Sequence, residues 1–313
     1  MHFLNIEPIQ KRSRRVCSAV FLTISVLFLF LHSWVEETIP KAHIMPQAAR
    51  IDIRPLLEQT DLTFNQLTTL SSQTGLHPDV VNKLLVQGRQ KELLQIQQHY
   101  FAPIYMESLN TTPLTISERL VDQEGNRATG MPLVDLQDGD ILITKNSRFL
   151  GWRNGHAALV VDAERGLVLE AIVLGTVTKL SPIEKWASYP SFQVLRLKEE
   201  YALKEVDAEK PNNGAESLPQ KVAAYAAKNL TEVPYRLLAG VFERSFSRGL
   251  VKVQAAEPVG TVHTTLKGTH CAHLVWYAYK QFGIDLDSDG GLIVTPSDIQ
   301  NSDYLEVIQS YGY

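Results

Sequence analysis

Cysteine is nearly absent: the 313 residues include two, Cys17 and Cys271. A four-cysteine zinc centre and a dense disulfide framework are therefore excluded. Charge of one sign is also lacking. Thirty Lys and Arg stand against 34 Asp and Glu, a formal net charge of −4, which leaves no basic footprint for nucleic acid. Internal repeats and low-complexity tracts are missing as well. What remains is a chain that is 44% hydrophobic and 20% charged, enough to bury a core and too apolar for wholesale disorder.

Long hydrophobic runs are scarce apart from one near the start. Lys11, Arg12, Arg14 and Arg15 stand directly before residues 16–35, which contain no Asp, Glu, Lys or Arg. Twenty helical residues at a rise of about 1.5 Å each span about 30 Å, the thickness of a bilayer core. Basic residues on the N-terminal side hold that end in the cytoplasm. Residues 1–15 are thus expected to be a basic cytoplasmic N-terminus, 16–35 a transmembrane anchor, and everything after about 36 extracytoplasmic. The alternative is secretion after cleavage of a signal segment, but Trp34 and Val35 stand where a cleavage site needs small residues. Either way Cys271 has no disulfide partner. A lone thiol in an oxidising compartment is either inert and buried or has a task.

Residues 50–125 read as a helical region. Ile53, Leu56 and Leu57 begin a periodic pattern that Leu62, Leu67 and Leu70 continue; Gly75 makes a turn, Pro78 opens a second helix, and 92–101 carries a third. DNA binding by a helix–turn–helix is disfavoured, because 50–101 balances five Lys or Arg with five Asp or Glu. From about 133 the period changes to two. Strands are predicted at 140–145, 156–162, 166–172, 175–180 and 192–198, punctuated by glycine turns that suit consecutive antiparallel pairing. Ser181 and Glu184 have the spacing of a capping box for a short helix. Residues 199–216 read as a surface loop, followed by helices at 217–230 and 270–282, the latter closed by Gly283. The fold class is α+β.

Three residues suggest chemistry. Cys271 precedes the helical run from Leu274 to Tyr279, so it falls in a first helical turn, whose partial positive charge favours a thiolate. His156 opens a predicted strand and Glu170 lies late in the next. Antiparallel pairing brings the two toward one end of a sheet, where a carboxylate can orient an imidazole that faces a thiol. A zinc site from His263, His270, Cys271 and His273 is a weaker alternative, since neither a CxxC nor a HExxH pattern accompanies them. No metal or cofactor is expected.

Taken in order, Asp138-Gly139-Asp140-Ile141 before a strand, Gly155-His156 opening the next, Glu170 after it, and Cys271 heading a helix form a pattern. It resembles the circularly permuted papain-like group of the NlpC/P60 superfamily, in particular the YiiX/YaeF-type proteins. Thr295-Pro296-Ser297-Asp298 resembles that group's closing motif, and Tyr235 after Pro234 an aromatic position ahead of the nucleophile. The resemblance covers about 133–308. It implies an antiparallel sheet packed on the nucleophile helix, with Cys271 as nucleophile, His156 as general base and Glu170 as orienting residue. Tyr235, Gly155 and Ala272 would lie on the substrate side. Ala272 departs from the serine often found after the nucleophile, and the stretch 236–268 is long. The implied activity is hydrolysis of amide or peptide bonds, with cell-wall peptides such as peptidoglycan suggested by location. A lipid acyl hydrolase or transferase of the same permuted fold is one alternative, a non-catalytic surface binding module another.

Overall fold

The computed structural model describes residues 20–27, 41–202, 216–241 and 266–313. The basic N-terminus, most of the expected anchor, residues 203–215 of the expected surface loop and His263 lie outside the described residues. Among the described residues no helix is long and apolar enough to cross a membrane. Residues 20–27 are helical, with Phe21, Leu22, Ile24 and Leu27 exposed.

Four helices come first: α1 (Arg54–Leu57), α2 (Phe64–Thr74), α3 (Pro78–Val86) and α4 (Gln90–Tyr100). Helix α2 starts at a capping box, in which the Thr63 hydroxyl accepts from the Gln66 amide and the Gln66 side chain accepts from the Thr63 amide. It stops at Gly75, whose φ of +68° suits glycine and whose Cβ, if present, would lie 2.2 Å from the Ser310 carbonyl oxygen. Helix α3 begins at Pro78, where a missing N–H costs nothing. The helices then end. The expectation of helix as far as 125 fails because 105–121 forms a hairpin, β1 (Tyr105–Thr112) and β2 (Thr115–Val121), rich in the Thr, Tyr, Val and Ile that suit a pleated surface.

Beyond it come β3 (Ile141–Thr144), β4 (Ser147–Phe149), β5 (His156–Asp162), β6 (Leu167–Glu170), β7 (Lys179–Pro182) and β8 (Phe192–Leu197). A 3₁₀ helix, Ile183–Ser188, precedes β8; α5 (Glu199–Ala202), α6 (Leu218–Asn229), α7 (Cys271–Lys280), α8 (Pro296–Gln300) and β9 (Leu305–Tyr311) follow it. All strands pair antiparallel, in a six-stranded sheet of order β7-β6-β5-β3-β8-β9 and a three-stranded sheet of order β1-β2-β4. The class is α+β. Two local expectations are corrected. The strand predicted at 175–180 lies at Lys179–Pro182, and Ser181 is inside it instead of capping a helix; the following 3₁₀ helix has Pro182 at its N-cap. The last strand, Leu305–Tyr311, was not among the predicted ones.

The large sheet is covered on both faces, which explains its nearly continuous apolar strands. Ile141, Ile143, Ala157, Leu159 and Leu169 face α6 and α7, packing with Val222, Leu274 and Val275. Their alternates Leu142, Ala158, Val160 and Val168 face the N-terminal helices and the 3₁₀ helix, packing with Leu84, Leu93, Ile96 and Trp186. The N-terminal helices are also stitched to the sheet edge, the Ser310 amide donating to Gly75 (2.7 Å) and the His77 amide to Ile308 (2.8 Å).

Candidate active site

The Asp138-Gly139-Asp140 turn fixes where β3 starts. Asp138 accepts from the Ala163 amide, Asp140 receives both ends of the Arg196 guanidinium at 2.8 Å, and the Gly139 carbonyl accepts from the Tyr279 hydroxyl of α7. This motif is structural, tying β3 to β5, β8 and the helix behind them.

At the other end of β3, Thr144 pairs with His156. Gly155 makes the approach possible, since its φ is +69° and a Cβ there would sit 2.4 Å from the Thr144 carbonyl oxygen. In the β5–β6 register Leu159 faces Leu169. One step further along sets Glu170 opposite Ala158, on the same face as His156 and diagonal to it, within reach of two long side chains. Accordingly the His156 Nε2 lies 2.9 Å from Glu170 Oε2. The imidazole also stacks on Trp186, with centroids 5.6 Å apart and planes at 19°.

Glu170 is fully buried, and its other oxygen accepts from the Lys185 ammonium on the 3₁₀ helix. Burial and the nearby Arg127 charge pull Lys185 down to about 8, against the carboxylate contact that favours its charged form. Nothing in the sequence pattern singled out Lys185. The available signal was general, that a carboxylate placed in a core needs a cationic partner.

Cys271 is the first residue of α7, and His270 is its N-cap, the ring Nδ1 accepting from the His273 amide. Burial alone would raise the thiol. Hydrogen bonding and charge from His156 and then His270 outweigh it and hold Cys271 at about 5. With Nε2 directed at Glu170, Nδ1 is the His156 nitrogen left for sulfur. The sequence pattern marks His270 as a zinc ligand and gives no sign of its place beside the thiol. Among the described residues His270, Cys271 and His273 do not gather as a metal-ligand cluster, and His273 Nδ1 lies 3.0 Å from the Thr269 hydroxyl; His263 is outside the described residues. Among the described residues the carboxylates of Asp287, Asp289 and Asp298 do gather within 4.8 Å, but Asp298 is engaged in the capping box of α8 through Thr295.

Tyr235 is brought beside the nucleophile by the backbone. Its segment bridges Thr269, with the Thr269 amide donating to Pro234 (2.9 Å) and the Arg236 amide to Thr269 (2.7 Å). Burial raises the Tyr235 phenol and the Cys271 charge raises it further, so it stays protonated. Gly155, His156, Tyr235 and Cys271 all line one cavity of about 780 Å³. Ala272 does not line it; its side chain is buried in the core.

The remaining wall is largely apolar, with Leu114 from the β1–β2 turn, Phe149 from β4, Ile172, Val173 and Leu174 after β6, and Leu237. Among the described residues no Asp, Glu, Lys or Arg lines it. This hairpin wall was missed because 105–121 read as helix. No protein-family model, curated protein or solved structure matches the chain.

Proposed function

We propose that the chain is a cysteine hydrolase of the circularly permuted papain-like, NlpC/P60 type, anchored by residues 16–35 with its catalytic part outside the cytoplasm. The observation that carries this reading is Cys271 and His156 together in the wall of one cavity, with Glu170 buried behind the imidazole and the thiol depressed to about 5. The Cys271 thiolate attacks a carbonyl carbon, forming the C–S bond. The oxyanion is met by the Cys271 amide at the start of α7, which lacks an intrahelical acceptor, and by the protonated Tyr235 phenol. His156 gives its proton to the leaving nitrogen or oxygen as that bond breaks. It then takes a proton from water, whose oxygen displaces sulfur and regenerates the thiolate. Glu170 holds the imidazole in one orientation throughout.

The wall, uncharged and mostly apolar although Thr, Ser and Asn side chains contribute to it, favours an ester or amide of an apolar acyl group over a charged cell-wall peptide, because charges brought there would lose hydration without an ionic partner. The test is intact-mass detection of an acyl adduct after exposure to p-nitrophenyl octanoate and p-nitrophenyl acetate. The expected result is an octanoyl adduct on Cys271, formed faster than the acetyl one, absent in Cys271→Ala and slowed in His156→Ala. A chain that acquires no adduct at Cys271 and releases no p-nitrophenol above the Cys271→Ala background would instead support a binding module.

A further inference from the structure

Large apolar side chains with little cover lie in and beside the cavity wall. Leu114, Leu150, Trp152, Leu174 and Leu238 are 52%, 56%, 62%, 68% and 61% exposed. Backbone contacts or chain neighbours tie each of them to the cavity. Leu114 and Leu174 line the cavity, the Leu150 amide donates to Leu114 (2.9 Å), Trp152 bridges the cavity residue Phe149, and Leu238 follows the cavity residue Leu237. Leu150 also has a φ of +51°, a conformation that favours glycine or asparagine and costs a leucine about 1–3 kcal/mol. A strained leucine held out to water gains nothing there. Contiguous apolar patches of this kind mark interaction surfaces, and tryptophan at an apolar rim is characteristic of bilayer interfaces.

The path of the chain indicates what covers the patch. From Val35 to His43 is eight residues, a reach of under about 30 Å even fully extended. The chain then docks at the cavity end of the large sheet: His43 Nδ1 contacts the Pro190 carbonyl, next in sequence to the cavity residue Tyr189, and the Ile44 amide donates to Gly312 (3.0 Å). Gly312 is fitted to this contact, since a Cβ there would lie 2.5 Å from the His43 ring. An apolar segment that ends eight residues earlier thus delivers the domain to its membrane with the cavity end nearest.

We propose that the Leu114, Leu150, Trp152, Leu174 and Leu238 rim seats in the lipid interface, so that the Cys271 cavity opens onto the bilayer. This rests on residues 16–35 being the anchor, and the test separates the two claims. The full chain is reconstituted into phosphatidylcholine–phosphatidylglycerol nanodiscs with and without brominated acyl chains, and tryptophan quenching is measured. Trp34 reports the anchor and Trp152 the rim, while Trp186 and Trp276 are buried. The expected result is that Trp34→Phe retains bromolipid quenching, that adding Trp152→Phe removes it, and that Leu174→Asp with Leu238→Asp at least halves the Trp152 part. If Trp34→Phe alone abolishes quenching, the anchor stands and the rim proposal fails. If wild type shows no quenching, both fail. Cross-linking of the Trp152 turn to a second copy without lipid quenching would also overturn the proposal, assigning the rim to self-association.

Discussion

Glu170 exposes no surface, so its charge is met by His156 and Lys185 instead of water. Removing one partner of such a buried set is expected to be costly: Glu170→Ala should lose about 3–5 kcal/mol of stability, read by denaturant titration. Glu170→Gln separates structure from positioning. It keeps a hydrogen-bonding group of similar size beside the imidazole but removes the carboxylate's negative charge. The variant should therefore stay folded while the apparent pKa of Cys271 rises, as measured by alkylation. An unchanged pH profile would reduce Glu170 to a structural role. At this scale Cys271, His156 and Glu170 were legible, because a thiol at a helix start and two residues on adjacent strands carry local signals. Lys185 and His270 were not: a contact fifteen positions from Glu170 has no period, and His270 carried its meaning only through the N-cap geometry.

Among the elements, β5 depends on a glycine at its head. Any side chain at position 155 meets the Thr144 carbonyl and must adopt a φ of +69°. Gly155→Ala should cost at least about 1–3 kcal/mol and, by shifting the start of β5, slow alkylation of Cys271 at pH 7. A thermal melt together with the alkylation rate checks both effects. Strands with buried faces, such as His156–Asp162, were placed correctly from their apolar runs. The hairpin at 105–121 was misread because the preceding helical period was extended across it, although its Thr, Tyr and Val content favoured strands. The strand at Lys179–Pro182 came later than expected because its partner residues, Leu167 to Glu170, set the register, and sequence alone does not show that pairing.

The whole molecule is held by a sheet covered on both sides. One face buries the nucleophile helix and the other buries the N-terminal helices, which share a core with the sheet. Leu84 lies far from Cys271 in sequence but is fully buried in that second core. Leu84→Ala should cost about 2–5 kcal/mol. Wild type should lose Trp186 fluorescence and helical circular dichroism in one coincident denaturant transition; two separated transitions would show that the helices fold apart.

The account turns on the pairing of thiol and imidazole, and the pH dependence of Cys271 alkylation by iodoacetamide tests it most directly. The full chain is used, with the modified peptide read by mass spectrometry so that Cys17 does not contribute. The thiolate is the reactive form, so a pKa lowered to about 5 by His156 and His270, against burial, gives a rate that climbs through pH 5 and is flat by pH 7. His156→Ala leaves burial less opposed and should move that rise upward. A Cys271 that stays inert from pH 5 to 9, or titrates near 9 with or without His156, would contradict the account.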